Sequence, residues 1–163
     1  MVDSTIELSK LHDVIQIIMG WTNYHLHHFE VGDRFYGVPN PDFFSSEELD
    51  EKKHTLNELL KKKGDSIGYE YDFGDGWEHR ITLEKVLPYN TDAVLPLCIK
   101  GKGACPPEDV GGIWGYYNFL EALNDPQHPE HETIKEWFED DFDPEAYDIK
   151  KVNKRLSRYH REK

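Results

Sequence analysis

The stretch Tyr69-Glu-Tyr-Asp-Phe-Gly-Asp-Gly-Trp-Glu-His79 decides the fold, because alternating side chains flank a glycine-rich turn. It predicts a β-hairpin over about residues 67–86, with Gly74-Asp75-Gly76 as a three-residue turn and Gly76 left-handed. In this register Tyr71 lies opposite His79, and one face of the hairpin is entirely apolar or aromatic. A two-residue turn would mix the two faces, which the burial of one face disfavours.

The opposite face of the predicted hairpin carries charge. Glu70 pairs favourably with Arg80, whereas Asp72 faces Glu78, and like charges in that position destabilise a sheet by about 0.2–1 kcal/mol. With Asp75 in the turn, these acids form a small acidic cluster. The cluster is interpreted either as a solvated outer face or as a docking point for a cation or for a Lys or Arg side chain.

Hydrophobic spacing predicts the other elements of the chain. Helices are expected over about residues 8–18, 56–62, 116–123, 130–139 and 148–159, and strands over 24–31, 34–37 and 95–100. Gly20 is expected to end the first helix. The sum is one α+β domain over residues 1–163, an antiparallel sheet with helices packed on one side. It ends in a basic amphipathic helix.

Charge is distributed unevenly along the 163 residues, whose formal net charge is −13. Residues 148–163 hold seven Lys or Arg and two Asp or Glu, whereas residues 1–147 hold twelve Lys or Arg and thirty Asp or Glu. An acidic body repels a phosphate backbone, so nucleic-acid binding is expected to be weak or absent and confined to the terminal helix. A basic protein or peptide partner is electrostatically favoured.

Composition also bears on the location of the protein. No run approaches the roughly 20 apolar residues of a membrane-spanning helix, and the first residues lack the pattern of a secretory signal. Two cysteines in such a chain indicate a reducing compartment, where a structural disulfide is disfavoured. A cytoplasmic location without membrane association is therefore expected.

Five ordered motifs carry a family resemblance. They are Met19-Gly-Trp-Thr-Asn-Tyr-His-Leu-His-His-Phe29, the hairpin stretch, Ala104-Cys-Pro-Pro-Glu-Asp-Val-Gly-Gly112, Asn124-Asp-Pro-Gln-His-Pro-Glu-His131 and Phe142-Asp-Pro144. Together they resemble the plasmid pRiA4b ORF-3-like family. The resemblance implies no established biochemical activity, although some members in mobile elements carry the label of resolvase. It also implies that this chain lacks the N-terminal strand and the Pro-Pro-x-Trp-Arg-Arg segment with which members usually begin.

The resolvase label can be tested against the cations that strand exchange requires. Recombination needs cationic side chains that converge on the phosphate and stabilise the phosphoryl transition state. The chain has five arginines, and three of them, Arg155, Arg158 and Arg161, lie in the terminal helix. The residues therefore exclude recombinase or resolvase activity.

Several histidines are also candidate ligands for a metal ion. His25 and His27 would share one face of a strand, and His128 and His131 lie three apart at the entry to a helix. These four are the candidate ligands for zinc or another divalent metal. The competing interpretation is that the histidines hydrogen-bond loops and the sheet rim. Their spacing matches no recognised closed zinc set, so no metal or other cofactor is expected.

Residues 101–112 form a loop too rich in proline and glycine for a helix. Cys105 is either a thiol nucleophile paired with a histidine or a small buried anchor of this loop. Glu108 and Asp109 are either paired carboxylates or acceptors for the backbone N–H groups of the loop. The structural role is favoured for all three, so no catalytic residue is assigned.

The motif loops are predicted to converge at one end of the sheet and to line one ligand-binding pocket. The predicted site residues are Asp72, Asp75, Trp77, His79, Cys105, Glu108, Asp109, Trp114 and Tyr116. The interpretation is a non-catalytic protein- or peptide-binding or accessory domain, linked to plasmid or mobile-element biology. A metal-dependent hydrolase with a His, Cys and carboxylate site is the alternative.

Overall fold

The computed structural model describes residues 1–39, 48–88, 92–137 and 142–162, and its strands form one sheet. The strands are β1 (His27–Val31), β2 (Arg34–Gly37), β3 (Leu49–Asp50), β4 (Ser66–Tyr71) and β5 (Trp77–Thr82). Their order in the sheet is β3-β2-β1-β4-β5. Neighbours are antiparallel except β2 and β3, which run parallel, so the sheet is mixed and not purely antiparallel.

Helices account for most of the remaining regular structure. Within the described ranges they are α1 (Leu8–Met19), α2 (Leu56–Leu59), α3 (Gly112–Asn124), α4 (His131–Trp137) and α5 (Ile149–Glu162). The predicted α+β class is therefore confirmed. Helix α1 ends where the sequence predicts, because Gly20 is left-handed (φ 87°) and donates its N–H to the Gln16 carbonyl. None of the helices in this part of the chain is long and apolar enough to cross a bilayer.

Among the residues that the structure describes, the hydrophobic core has three clusters, and α1 contributes to two of them. Leu8 packs in one cluster with Phe29 and Tyr69 of the sheet, and Val14 packs in a second with Leu156 of α5. Helices α3 and α4 form the third cluster against each other. Full burial of one such side chain is worth about 1.5–3 kcal/mol. Helix α1 therefore connects the sheet to the C-terminal helix.

The β4–β5 hairpin is confirmed, but the predicted three-residue turn is wrong. Tyr71 pairs with Trp77, so five residues, 72–76, separate the strands. Every pair is shifted by two residues from the predicted register, and Glu70 faces Glu78 instead of the predicted arginine. The predicted apolar face survives, because side chains alternate with period two and a shift of two leaves each side chain on its face.

The longer turn has a local cause at Asp72. Its backbone is left-handed (φ 58°), and its N–H donates to the Leu26 carbonyl at 2.8 Å. The Asp72 Oδ1 atom accepts the backbone N–H of Gly74 at 3.0 Å. Asp72 therefore belongs to the loop, and the predicted pairing of Asp72 with Glu78 is replaced.

Residues 95–100, predicted as a strand, lie outside the sheet. Leu97 donates its N–H to the Met1 carbonyl. The side chain of Asn153 in α5 hydrogen-bonds both the N–H and the carbonyl of Cys98, at 2.8 Å each. A side chain thus supplies the partners that a neighbouring strand would have supplied.

Several other boundaries differ from the prediction, and among them helix α3 begins at residue 112 and not at 116. Strand β1 begins at residue 27 and not at 24. Helix α2 ends at residue 59, since the Asp65 carboxylate accepts the N–H groups of Lys61 and Lys62 and turns the chain. The predicted helix over 130–139 is observed as α4, and residues 138–139 lie outside the described residues.

A buried polar network joins α1 to the sheet. The Tyr69 hydroxyl accepts a hydrogen bond from Gln16 Nε2 at 3.1 Å and lies 2.8 Å from His12 Nδ1. The other ring nitrogen of His12, Nε2, lies 2.7 Å from Asn23 Oδ1. Because an amide oxygen can only accept, Nε2 carries the proton and Nδ1 accepts from the Tyr69 hydroxyl. Each of these buried polar atoms is therefore satisfied.

His27 extends this network to the far side of His12. The two imidazole rings stack with their centroids 3.4 Å apart and their planes 5° apart, and His27 Nε2 lies 2.9 Å from Glu51 Oε2. Burial, together with the charge of nearby His27, lowers the pKa of His12 to about 4. His12 is therefore neutral at pH 7.

The free energy of unfolding is expected to fall as the pH is lowered below about 6.5. The pKa of His12 is lower in the folded chain than in the unfolded chain, so the unfolded chain binds the proton first. The loss should reach about 2 kcal/mol between pH 6.5 and pH 5. Urea unfolding across this range should show a shallower pH dependence in His12→Asn. The exposed control His160→Asn should keep the slope of the wild type, and equal slopes in all three proteins would contradict the assignment.

Candidate functional site

Three loops meet at the end of the hairpin, and we call their meeting point the loop junction. The loops are residues 20–26 after α1, the hairpin loop 72–76 and residues 104–111 before α3. The Asp72 N–H links the hairpin loop to the first loop through the Leu26 carbonyl. Glu108 in the third loop accepts the backbone N–H of Thr22 at 3.1 Å. The motif loops that the sequence predicted to converge do lie together.

Glu108 is the central acceptor of the loop junction. Besides the N–H of Thr22, its carboxylate accepts the Thr22 hydroxyl and, at 2.5 Å, the Tyr71 hydroxyl. Burial acts to raise the pKa of Glu108, but the hydrogen bonds from Thr22 and Tyr71 outweigh it and lower the pKa below its usual value. Glu108 is therefore a charged residue that ties a loop to the end of β4.

Asp75 ties the hairpin loop to α3. Its Oδ2 accepts the N–H of Gly111 at 3.1 Å, at the start of a helix, where negative charge is favourable. A Cβ at Gly112 would lie 2.4 Å from the Asp75 carbonyl oxygen, and Gly112 has φ 66°. Only glycine fits this position.

His25 lies between two carboxylates that come from different loops. Its Nδ1 is 3.6 Å from Asp72 Oδ2, and its Nε2 is 3.2 Å from Asp109 Oδ1. The Nε2 atom is shielded from solvent and makes no well-formed hydrogen bond. The Asp109 side chain is 72% exposed, so this group lies where the loop junction opens to water.

Four of the predicted site residues, Asp72, Asp75, Glu108 and Asp109, therefore lie together. Three others pack inward: Trp77 and His79 lie against Trp21, with ring centroids 6.3 and 5.5 Å away, and Tyr116 packs in the α3–α4 cluster. Trp114 is the opposite case, because it is 83% exposed. The predicted set is thus divided between the loop junction, the interior and the surface.

Cys105, the remaining predicted residue, lines a cleft of about 330 Å³ beside the loop junction, together with Trp21, Glu108 and Trp137. Burial, and secondarily the charge of Glu108, raises the pKa of the Cys105 thiol to about 12. The thiolate is the nucleophilic form, and this thiol is not ionised near neutral pH. These observations support the interpretation of Cys105 as a loop anchor.

The four candidate metal ligands named from the sequence do not share a site. His27 is paired in the buried network, and His131 and His128 use Nδ1 on backbone groups at 2.7 and 3.2 Å. His25 alone of the four lies at the loop junction. Across the described ranges, its ring and the side chains of Asp72 and Asp109 form the one group of three suited to hold a metal.

The sequence reasoning missed the partners that hold the carboxylates. Glu108 accepts hydrogen bonds from Thr22 and from the Tyr71 hydroxyl. These two donors lie in different segments of the chain, so no periodic pattern in the sequence identifies them. Thr22 and His25 do lie in the first of the motif strings. The available clue was that each loop carboxylate needs a donor, and that the other motifs contain such donors.

The fold and the loop junction define a class: an α+β domain in which separate motif loops are joined through carboxylates. The family described as plasmid pRiA4b ORF-3-like protein matches residues 1–151, and the chain belongs to this family. The resemblance seen in the sequence is confirmed.

Two relatives illustrate the extent of this similarity. The uncharacterized protein y4hQ of Sinorhizobium fredii is 42% identical over 157 residues, which cover 94% of this chain and 79% of the relative. A crystal structure of a protein of unknown function from Methanosarcina mazei Go1 is 38% identical, with a TM-score of 0.81. That match covers 91% of this chain and 84% of the other.

Glu108→Ala is expected to lower the free energy of unfolding by about 2 kcal/mol, because donors on Thr22 and Tyr71 lose a charged acceptor. Urea unfolding at pH 7 measures the change. Glu108→Gln keeps one acceptor oxygen and should lose less. Glu136→Ala, which removes an exposed side chain in α4, is the control and should stay near the wild type. Equal stabilities of the Glu108→Ala and Glu136→Ala variants would contradict the role of Glu108.

Proposed function

We propose that the protein is a non-catalytic binding domain whose ligand is a basic segment of another polypeptide. The observation that carries this proposal is the exposure of aromatic rings beside the acidic loop junction. Tyr24 is 84% exposed and Trp114 is 83% exposed. Large aromatic side chains of this kind dominate the energy of protein interfaces when a partner covers them.

The exposed rings stand on anchored backbone. Tyr24 is next to His25 in the chain, and Trp114 lies two residues after Gly112, which packs against Asp75. Ile113 and Tyr117, each 56% exposed, extend the apolar surface on α3. A backbone that is already fixed loses little conformational entropy on binding, which favours affinity.

Charge selects the kind of partner. The chain carries a net charge of −13, and the exposed Asp109 carboxylate lies beside Asp72 and His25 at the loop junction. An acidic surface attracts a basic partner over distance and disfavours acidic ones. A segment with Lys or Arg next to an aromatic or aliphatic residue matches both features.

An accessory role in plasmid or mobile-element biology, in the cytoplasm, is part of this proposal. The plasmid origin in the family's name supports the link to plasmid or mobile-element biology. Cys98 and Cys105 do not form a disulfide, which supports a reducing compartment such as the cytoplasm.

Selection from a random peptide library is expected to enrich peptides with Lys or Arg beside an aromatic or aliphatic residue. Trp114→Ala and Tyr24→Ala should each weaken a selected peptide at least about tenfold, because each removes a ring that the peptide would cover. Ile99→Ala removes a 67% exposed side chain from the segment beside α5 and serves as the control. Fluorescence anisotropy with labelled peptide measures the affinities.

Two results of this experiment would contradict the proposal. One is selection of peptides without basic residues. The other is wild-type affinity in both ring variants, since the peptide would then bind elsewhere. Raising the salt concentration should weaken the selected peptides, as expected for a charged interface.

Duplex DNA is expected to bind weakly, through α5 alone, and with strong salt dependence. Lys151, Lys154, Arg155 and Arg158 are exposed on this helix, and replacing all four by Ala should abolish the remaining binding. Replacing the exposed residues 61–63, all lysine, by Ala is the control and should have little effect. Anisotropy of a labelled duplex at low and physiological salt measures this. Sub-micromolar, sequence-selective binding at physiological salt would contradict the expectation.

A further inference from the structure

We propose that His25, Asp72 and Asp109 bind one divalent transition-metal ion at the loop junction. One ligand atom from each of the three side chains lies within 4.8 Å of the others. The residues come from three different loops, so a bound ion would cross-link all three. This site goes beyond the proposed function and does not depend on it.

One carboxylate oxygen of Asp72 accepts hydrogen bonds from its own loop, and the other lies beside His25. Oδ1 accepts the N–H groups of Gly74 and Asp75, at 3.0 and 3.4 Å, and these bonds fix the orientation of the carboxylate. Oδ2 lies 3.6 Å from Nδ1 of the His25 ring, on the side of the ring away from Asp109, and the three proposed ligand atoms still lie within 4.8 Å of one another. A metal ligand held by bonds to its other oxygen is typical of protein metal sites.

His25 supplies the nitrogen. Its Nε2 is shielded from solvent and makes no well-formed hydrogen bond, which is costly for a polar atom without a partner. The distance from Nε2 to Asp109 Oδ1 is 3.2 Å. Two ligands on one tetrahedral zinc ion, at metal distances near 2.0–2.1 Å, lie roughly 3.3 Å apart. The observed spacing of these two atoms is close to that value.

The other two carboxylates at the loop junction are committed to hydrogen bonds. Glu108 accepts from Thr22 and Tyr71, and Asp75 accepts from Gly111. These hydrogen bonds hold the three loops in position. The metal-binding set is therefore confined to one histidine and two aspartates.

The chemistry of this set favours zinc or manganese over magnesium or calcium. Imidazole nitrogen suits first-row transition metals, whereas magnesium and calcium prefer oxygen ligands throughout. Three protein ligands leave at least one coordination position for water or another ligand. The exposed Asp109 side chain gives the ion a route from solvent.

Calorimetric titration of metal-free, untagged protein with zinc sulfate at pH 7.5 tests the proposal. We expect one saturable site per chain, with much weaker binding of magnesium. His25→Ala and Asp109→Asn should each weaken zinc at least tenfold. Asp109→Asn changes an exposed side chain, so it tests the site even if His25→Ala fails to fold. The matched controls are His160→Ala in α5 and Asp33→Asn in the β1–β2 turn, both exposed, and they should bind as the wild type does.

Nuclear magnetic resonance of the histidine ring nitrogens identifies the ligand directly. Addition of zinc should shift the His25 nitrogens and leave those of His128 in place. Absence of a saturable zinc site would overturn the proposal and assign His25 to an ion pair with the two carboxylates. Wild-type affinity in folded His25→Ala and Asp109→Asn would also overturn it, because zinc would then bind at another pair such as His54 and Glu58, whose side chains lie 2.9 Å apart.

Discussion

The Tyr69 hydroxyl is buried between α1 and the sheet and must be hydrogen-bonded there, and much of the structure follows from this requirement. Gln16 and His12 of α1 supply its partners. His12 in turn requires an acceptor, which Asn23 provides, and the Asn23 N–H donates to the side chain of Gln16. Asn23 makes these bonds in a left-handed conformation, φ 61°, which asparagine tolerates better than most residues. The buried hydroxyl thereby sets the path of the chain from α1 to β1, and this path carries Thr22 and His25 to the loop junction.

Much of the fold could be predicted from periodicity, and the errors arise where periodicity carries no information. The apolar face of the hairpin was correct while its register was wrong, because a shift of two residues preserves every face. The deciding contact, from the Asp72 N–H to the Leu26 carbonyl, joins segments far apart in sequence. Residues 95–100 have the composition of a strand, yet Met1 supplies the backbone partner of Leu97 and the side chain of Asn153 supplies those of Cys98. None of these contacts is visible in a local pattern.

The candidate site was predictable as a place and less so as a set of residues. Dense motifs with glycine turns predicted that these loops converge, and the loops do meet. The aromatic residues of the motifs divide differently: Trp21 and Trp77 pack together in the interior, and Trp114 lies at the surface. The sequence contains no signal for this division, since both groups sit beside turns. The partners of the carboxylates depend on tertiary contacts, which is why Glu108 was recognised without its donors.

The contact between Gly112 and the Asp75 carbonyl oxygen constrains how the chain can change over evolutionary time. An inserted residue in the hairpin loop would push α3 outward, and a larger residue at position 112 would do the same from the other side. The lengths of two segments separated by about a quarter of the chain are thus coupled. Insertions and deletions among homologues should accumulate elsewhere, and a change in one of these segments should be accompanied by a compensating change in the other.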